Sequence, residues 1–482
     1  MAVATYDAQI ALPRRSLTMV RRQADWRPAL LPFLLTFSAV LAVSWWTYQP
    51  ETPLMGWMTT ILWTLPTGSS CVGVAGALLT RRRMRRQRRW GPPEPAWQDG
   101  LLVVVPTIGR HDTYPALERA VRSYCEYLPA YFPQLRVDIV TEEGCEALPA
   151  ILALGAAQPL VRVVVVPKPY RTPNGTRFKA RANHYSHQLR IAEGEAREDV
   201  WVLHMDDDTG VGPDTASSLA RFVNAQRKAG LRAKHLAQGV LAYPRENAVN
   251  RLTWLADAVR PADDITRFAV LTGGGTPLAG LHGELLLIRA SVEATIGWDF
   301  GPKAIVEDAQ LALNFCSRYR GRSDWFSGRC YGASPASVRD FVKQRERWAW
   351  GLAALVLNRG IPLRNRIFLG YCMSTWVLGP LQHVGVVLLA GAMLGEVNTS
   401  PASPYVLPLW ALNMAYVVWM YWEGLKINSI VSAGGRRRWW ERLCLLPLIP
   451  LFSLWEGVGG LRGFARFLRA EENKFVVIAK PA

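Results

Sequence analysis

Three consecutive aspartates, Asp206, Asp207 and Asp208, end the apolar run VWVLHMDDD (200–208). Carboxylates this close repel one another, and one keeps its proton unless a cation joins them. A hard divalent ion with diphosphate oxygens in its shell needs such ligands. Asp206 and Asp208 form a D-x-D pair suited to that ion; the alternative is a solvated turn capping a helix that starts near 213. A second acidic pair, Glu307-Asp308, opens the helical pattern of IVEDAQLALNF (305–315). There a carboxylate either simply favours the helix dipole or, at Asp308, acts as a general base on an acceptor hydroxyl. The third element is KQRERWAWG (343–351). Gln344, Arg347 and Trp348 sit at i, i+3 and i+4, on one helical face. A guanidinium can clamp a diphosphate with two hydrogen bonds, and an indole can stack on a sugar ring. The competing reading is an interfacial helix with snorkelling basic side chains and an aromatic anchor.

These groups need a scaffold. Between 100 and 330 no long apolar run occurs. Short β-rich runs alternate with helical stretches: LLVVVPT (101–107), RVDIVTEE (136–143), VRVVVVPK (161–168) and VWVLHMDDD. That alternation predicts a doubly wound, mostly parallel α/β sheet, which binds ligands at the carboxyl ends of its strands. Residues 335–358 predict an amphipathic helix, with Ser334 as its cap and Pro335 in its first turn.

Apolar runs flank this region at 28–48, 54–80, 367–395, 404–425 and 441–460. The first has the length to span hydrocarbon. The segment QPETP after it carries no Lys or Arg, whereas RRRMRRQRRW (81–90) holds seven Arg. The positive-inside rule puts residue 81 onward, and the N-terminus, in the cytoplasm. Basic residues on both sides of 441–460 predict a re-entrant or interfacial segment there. The 482-residue chain has a formal charge of +18 and 20 Trp. Because the Arg block abuts an apolar span, the charge points to membrane lipids and not to nucleic acid. The seven Cys have neither metal-ligand nor C-x-x-C spacing, so all are expected to be reduced packing residues. The expected organisation is 1–90 (basic segment and two spans), 91–334 (cytoplasmic catalytic domain), 335–366 (interface helix) and 367–482 (spans, interfacial segment and tail). The expected location is multi-pass in a bacterial cell membrane.

D-x-D, then E-D, then Q-x-x-R-W, in order and flanked by apolar spans, resembles the membrane-embedded family 2 glycosyltransferases, which include cellulose, chitin and hyaluronan synthases. The stretches 163–185, 239–264 and FVKQRERWAWG (341–351) look like the egghead-type β-1,4-mannosyltransferases. The resemblance implies a GT-A-type domain and an inverting transfer of mannose from GDP-mannose to a glycolipid acceptor. Under it, Glu142, Lys179, Arg181, Asp207, Gln344 and Arg347 would bind the nucleotide sugar. Asp206 and Asp208 would hold Mn2+ or Mg2+, and Asp308 would be the base. Trp348, His282 and Glu284 would line the acceptor site. In the C-terminal KFVVIAKP (474–481), Phe475, Val477 and Lys480 fit the synthases' gating loop, but Ile478 replaces its Thr. The alternatives are a processive polysaccharide synthase using a UDP-sugar and, in a different class, a non-catalytic membrane scaffold. Clustered carboxylates argue against the scaffold, which has no physical need of them.

Overall fold

The computed structural model describes residues 27–49, 53–87, 91–379, 381, 391, 394, 400–432 and 439–471. The expectations for the basic N-terminal segment, for most of 380–399 and for KFVVIAKP lie outside these residues.

The four β-rich runs become β1 (Gly100–Pro106), β2 (Leu135–Glu142), β3 (Val161–Val166) and β4 (Val200–His204). β1 pairs in parallel with β2 and β4, and β2 with β3. Leu101 to Val105 of β1 are all buried, as befits a strand covered on both faces. Helices Tyr114–Tyr127, Leu148–Ala157 and Phe178–Ala192 follow β1, β2 and β3. On one face, Leu117 and Val121 pack with Val103 and Trp201. On the other, Ala182, Leu311 and Phe315 pack with Val104, Val202 and Ile288.

The rest of the sheet corrects the mostly parallel expectation. β5 (Gly210–Val211), β6 (Leu236–Ala242), β7 (Leu286–Arg289) and β8 (Ser323–Tyr331) complete the order β3-β2-β1-β4-β7-β6-β8-β5. β7 runs antiparallel to both β4 and β6, β5 antiparallel to β8, and β6 parallel to β8. The sheet is therefore mixed. The reversal has a direct consequence for the site. Leu286, the first residue of β7, pairs with His204, the last of β4. The segment entering β7, His282 to Leu285, is thereby delivered to the carboxyl end of β4, where the aspartates lie.

Helices Leu31–Trp46, Pro53–Thr64, Thr67–Gln87, Leu363–Val377, Leu407–Val431 and Ile449–Leu468 stand beside the sheet. Among the described residues two helical runs, Gly56–Gln87 and Trp440–Leu468, are long and apolar enough to cross a membrane. Leu34, Leu35, Trp57 and Ile61 face outward. Two glycines let these helices close on the sheet domain. A Cβ on Gly76 would strike the Thr266 carbonyl oxygen, and one on Gly424 that of Ala258. The run expected at 441–460 is helical and lies along Val338–Leu357. That partner helix begins later than the sequence implied. Its cap is Ser337, not Ser334, because Asp340 N donates to Ser337 Oγ at 3.1 Å while the hydroxyl donates to Asp340 Oδ2 at 2.6 Å.

Candidate active site

One cavity of about 1100 Å³ opens at the carboxyl ends of β1, β2 and β4. Asp206, Asp207, Asp208, Glu142, Lys179 and Arg181 line it from the strand side. His282, Glu284, Asp308, Gln344, Arg347 and Trp348 line it from the other. The twelve residues anticipated for donor, metal, base and acceptor thus line one cavity.

The strand-side groups are cross-linked. Lys179, in the first turn of Phe178–Ala192, donates to Asp206 Oδ1 and lies 3.6 Å from Glu307 Oε1. Burial alone would lower the Lys179 ammonium pKa, but Asp206, Glu307 and Asp308 outweigh it and hold it raised. Arg181 donates to Glu142 and, at 2.9 Å, to the Pro167 carbonyl. Glu142 and Arg181 therefore neutralise each other. Thr107 Oγ1, just past β1, donates to Asp207 Oδ2 at 2.7 Å. Asp208 is buried, with Thr209 Oγ1 3.4 Å from its Oδ1.

The helix Glu307–Arg318 presents both acids of the E-D pair from its first turn. Ala309 N donates to Asp308 Oδ1 at 2.8 Å. Burial pushes Glu307 up to about 7, against Lys179 and with help from Asp308. Burial also raises Asp308. Glu284 is likewise pushed up to about 7, by burial and then by Asp206. Gly283 lies against this group. A Cβ there would sit 2.5 Å from Lys179 Nζ, 3.3 Å from Asp206 Oδ1 and 3.5 Å from Asp308 Oδ2. Only glycine leaves that space open. Phe178 (φ 57°) and Leu285 (φ 54°) flank the same spot in left-handed backbone, a strain that persists only where the surroundings enforce it.

Among the described residues no three His, Cys, Asp or Glu side chains stand grouped as a metal centre. The donor chemistry nevertheless fits a hard divalent ion. Asp206 and Asp208 offer carboxylate oxygens, and the Lys179 ammonium already holds a cation's place against Asp206.

Residues 201–422 match the sequence profile described as Glycosyl transferase family group 2. The chain carries a family 2 glycosyltransferase domain. The mixed sheet with D-x-D after β4 is its GT-A-like fold. The β-1,4-mannosyltransferase egh of Drosophila melanogaster is 30% identical over 325 residues, 66% of each chain. The β-1,4-mannosyltransferase bre-3 of Caenorhabditis elegans is 28% identical over 233 residues, 48% of this chain and 49% of that one. The chain thus spans about half to two thirds of the length of these curated relatives. The mannosyltransferase PcManGT from Pyrobaculum calidifontis, solved with GDP-Man and Mn2+, aligns over 85% of this chain and 100% of its own. The two share 17% identity, with a TM-score of 0.43.

The cavity wall opposite the strand ends holds residues the sequence reading passed over. His282 Nε2 lies 2.6 Å from Asp264 Oδ1, and Arg260 Nη2 lies 3.3 Å from His282 Nδ1. In the neutral imidazole that pattern puts the proton on Nε2, with Nδ1 accepting from Arg260. Burial opposes protonation of His282, but Asp264 raises its pKa. The Arg260 and Arg345 guanidiniums each sit 4.6 Å from the Trp348 ring centre. Arg345 also donates to Asp257 and, at 2.9 Å, to Glu456 Oε1. Burial lowers the Arg347 pKa, opposed by Glu307, Asp206 and Asp308. The overlooked signal was charge density. DAVRPADDITR (257–267) packs five charged residues into a stretch that folds as buried helical turns.

Proposed function

We propose that the protein is an inverting, metal-dependent hexosyltransferase that moves mannose from GDP-mannose to a glucosyl-lipid-like acceptor as a β-1,4-linked sugar. What supports this reading is the meeting of D-x-D, E-D and Q-x-x-R-W in one cavity. The family domain supports sugar transfer, and the mannosyltransferase relatives favour mannose as the sugar. The chain would be an integral multi-pass membrane protein with its catalytic domain cytoplasmic.

In this reading Asp206 and Asp208 hold Mn2+ or Mg2+, which when bound neutralises the departing diphosphate. Lys179 and Arg347 add positive charge to the same leaving group, and Gln344 hydrogen-bonds it. Glu142, Arg181 and Asp207 bind the rest of the nucleotide. Trp348 floors the acceptor sugar, with His282 and Glu284 at its edge. Asp308 takes the acceptor hydroxyl proton through Oδ2, since Oδ1 is engaged by the Ala309 amide. The hydroxyl oxygen bonds to the anomeric carbon as the bond to the diphosphate breaks. The electron pair leaves with the diphosphate, the proton stays on Asp308, and the configuration inverts.

The test is nucleoside-diphosphate release by the purified protein with GDP-mannose, Mn2+ and an alkyl β-glucoside. The expected product is GDP with a β-mannoside. Full turnover in excess chelator, or an α-linked product, would overturn the mechanism. Turnover with UDP-sugars alone would transfer the case to the polysaccharide-synthase alternative.

A further inference from the structure

The cavity does not end at Trp348. Its wall runs on from Trp348 to Leu352, one turn along the same helix, and then to Leu369, Met373, Val417 and Met420. Glu456 marks the crossing between the two halves. Its Oε1 accepts from Arg345, and its Oε2 accepts from Trp376 Nε1 at 2.7 Å. Charged groups beyond that point are closed on each other, as in the two-bonded Arg267–Asp263 pair. Both runs long enough to cross a membrane reach this arm, through Ser69 and Ser70 in one and Ser453 in the other.

The cavity therefore has a charged end and an apolar end. A nucleotide sugar matches only the first. At about 1100 Å³ the space also exceeds the roughly 300–1,000 Å³ of ordinary small-molecule sites. A molecule with a sugar head and a hydrocarbon tail matches both ends. We propose that the arm between helices Leu363–Val377, Leu407–Val431 and Ile449–Leu468 holds the acceptor's hydrocarbon tail while its sugar lies at Trp348. This rests on the glycolipid reading above and gives it a location. The enzyme then grips its acceptor by the tail inside the protein, rather than leaving the tail in surrounding lipid.

The experiment uses the full chain in phosphatidylcholine nanodiscs with GDP-mannose, Mn2+ and hexyl or dodecyl β-glucoside. The longer chain should lower KM by at least about tenfold, since each buried methylene adds to affinity. Val417→Trp, which fills the arm, should erase that difference while GDP binding stays unchanged. A dodecyl glucoside with a photoreactive tail tip should label wild-type protein within 363–377 or 407–431. That labelling decides the matter even if Val417→Trp fails to fold. Labelling confined to the outward helices around Leu34 and Trp57, or a chain-length preference that survives Val417→Trp, would overturn the proposal. GDP binding is read separately by calorimetry. Its absence from wild type would remove the donor reading, while the photolabel still decides the arm.

Discussion

Two buried charge clusters lie on either side of the end of β4, and one helix serves both. Phe178–Ala192 sends Lys179 from its first turn to Asp206, Glu307 and Asp308. From its last turn it sends Arg190 to Glu293. Around Glu293 both carboxylate oxygens are engaged. Arg190 Nη2 and Trp298 Nε1 donate at 2.8 and 2.7 Å, and His204 Nε2 lies at 2.8 Å. Burial would raise the Glu293 pKa, but Arg190 and His204 hold it well below the usual carboxylate range. Glu307 and Glu284 are the same residue type on the wall of the cavity, yet both are pushed up to about 7. The difference is supply. The first cluster meets its carboxylate with donors from its own chain, so it has nothing to offer a ligand. The second gathers its carboxylates on the wall of a cavity, where, in the proposed reading, a cation completes it. Buried charge by itself marks neither a site nor a scaffold; its state of satisfaction does.

The sharpest separation of the two clusters is by rate. Asp308→Asn should slow transfer about 10²–10⁴-fold, the usual worth of a general base, while GDP affinity and thermal stability hold. Wild-type turnover in Asp308→Asn would remove the base from Asp308 and blur the contrast. Glu293→Ala should do the reverse. It strands Arg190 in the core and should cost about 3–5 kcal/mol of stability, read by denaturant or thermal unfolding. Molecules that remain folded should turn over normally. A large loss of kcat in folded Glu293→Ala would mean that the second cluster belongs to the chemistry after all.

The smallest effect is in pH. A carboxyl raised from 4.5 to about 7 by the fold binds more protons in the folded than in the unfolded state across that window. Stability from Glu284 and Glu307 is therefore greatest at low pH and falls as pH rises through 7. In the proposed reading a divalent cation at Asp206 binds better when the neighbouring Glu284 and Glu307 are charged, so activity should rise over the same interval. Melting temperature without ligand and kcat/KM should move in opposite directions between pH 6 and 8. Parallel movement would show that the raised carboxyls do not govern the site.

Much of this was legible along the chain. Apolar runs ending in polar residues gave β1 to β4, because a strand buried on both faces must be apolar throughout. The order of D-x-D, E-D and Q-x-x-R-W gave the lining of the cavity, because each motif sits at a strand end or on a helix face that short-range spacing encodes. β6 and β8 were harder to read. Gln238, Gly239, Asp324 and Ser327 interrupt their patterns, and cross-strand partners rather than local propensity hold them in the sheet.

By itself, then, the sequence determined the inventory of charged groups and the elements that carry them. Only the tertiary structure decided which of those charges are satisfied. The antiparallel entry of β7 puts Gly283 and Glu284 beside Asp206, 77 and 78 positions away in the chain. Helix packing through Gly76 and Gly424 sets the 257–268 turns, and with them Arg260, against helix Val338–Leu357. The same packing encloses an apolar arm beyond Trp348. Local spacing encodes periodicity, whereas the protonation of Glu284, the closure of Glu293 and the shape of the cavity depend on contacts between segments far apart in sequence.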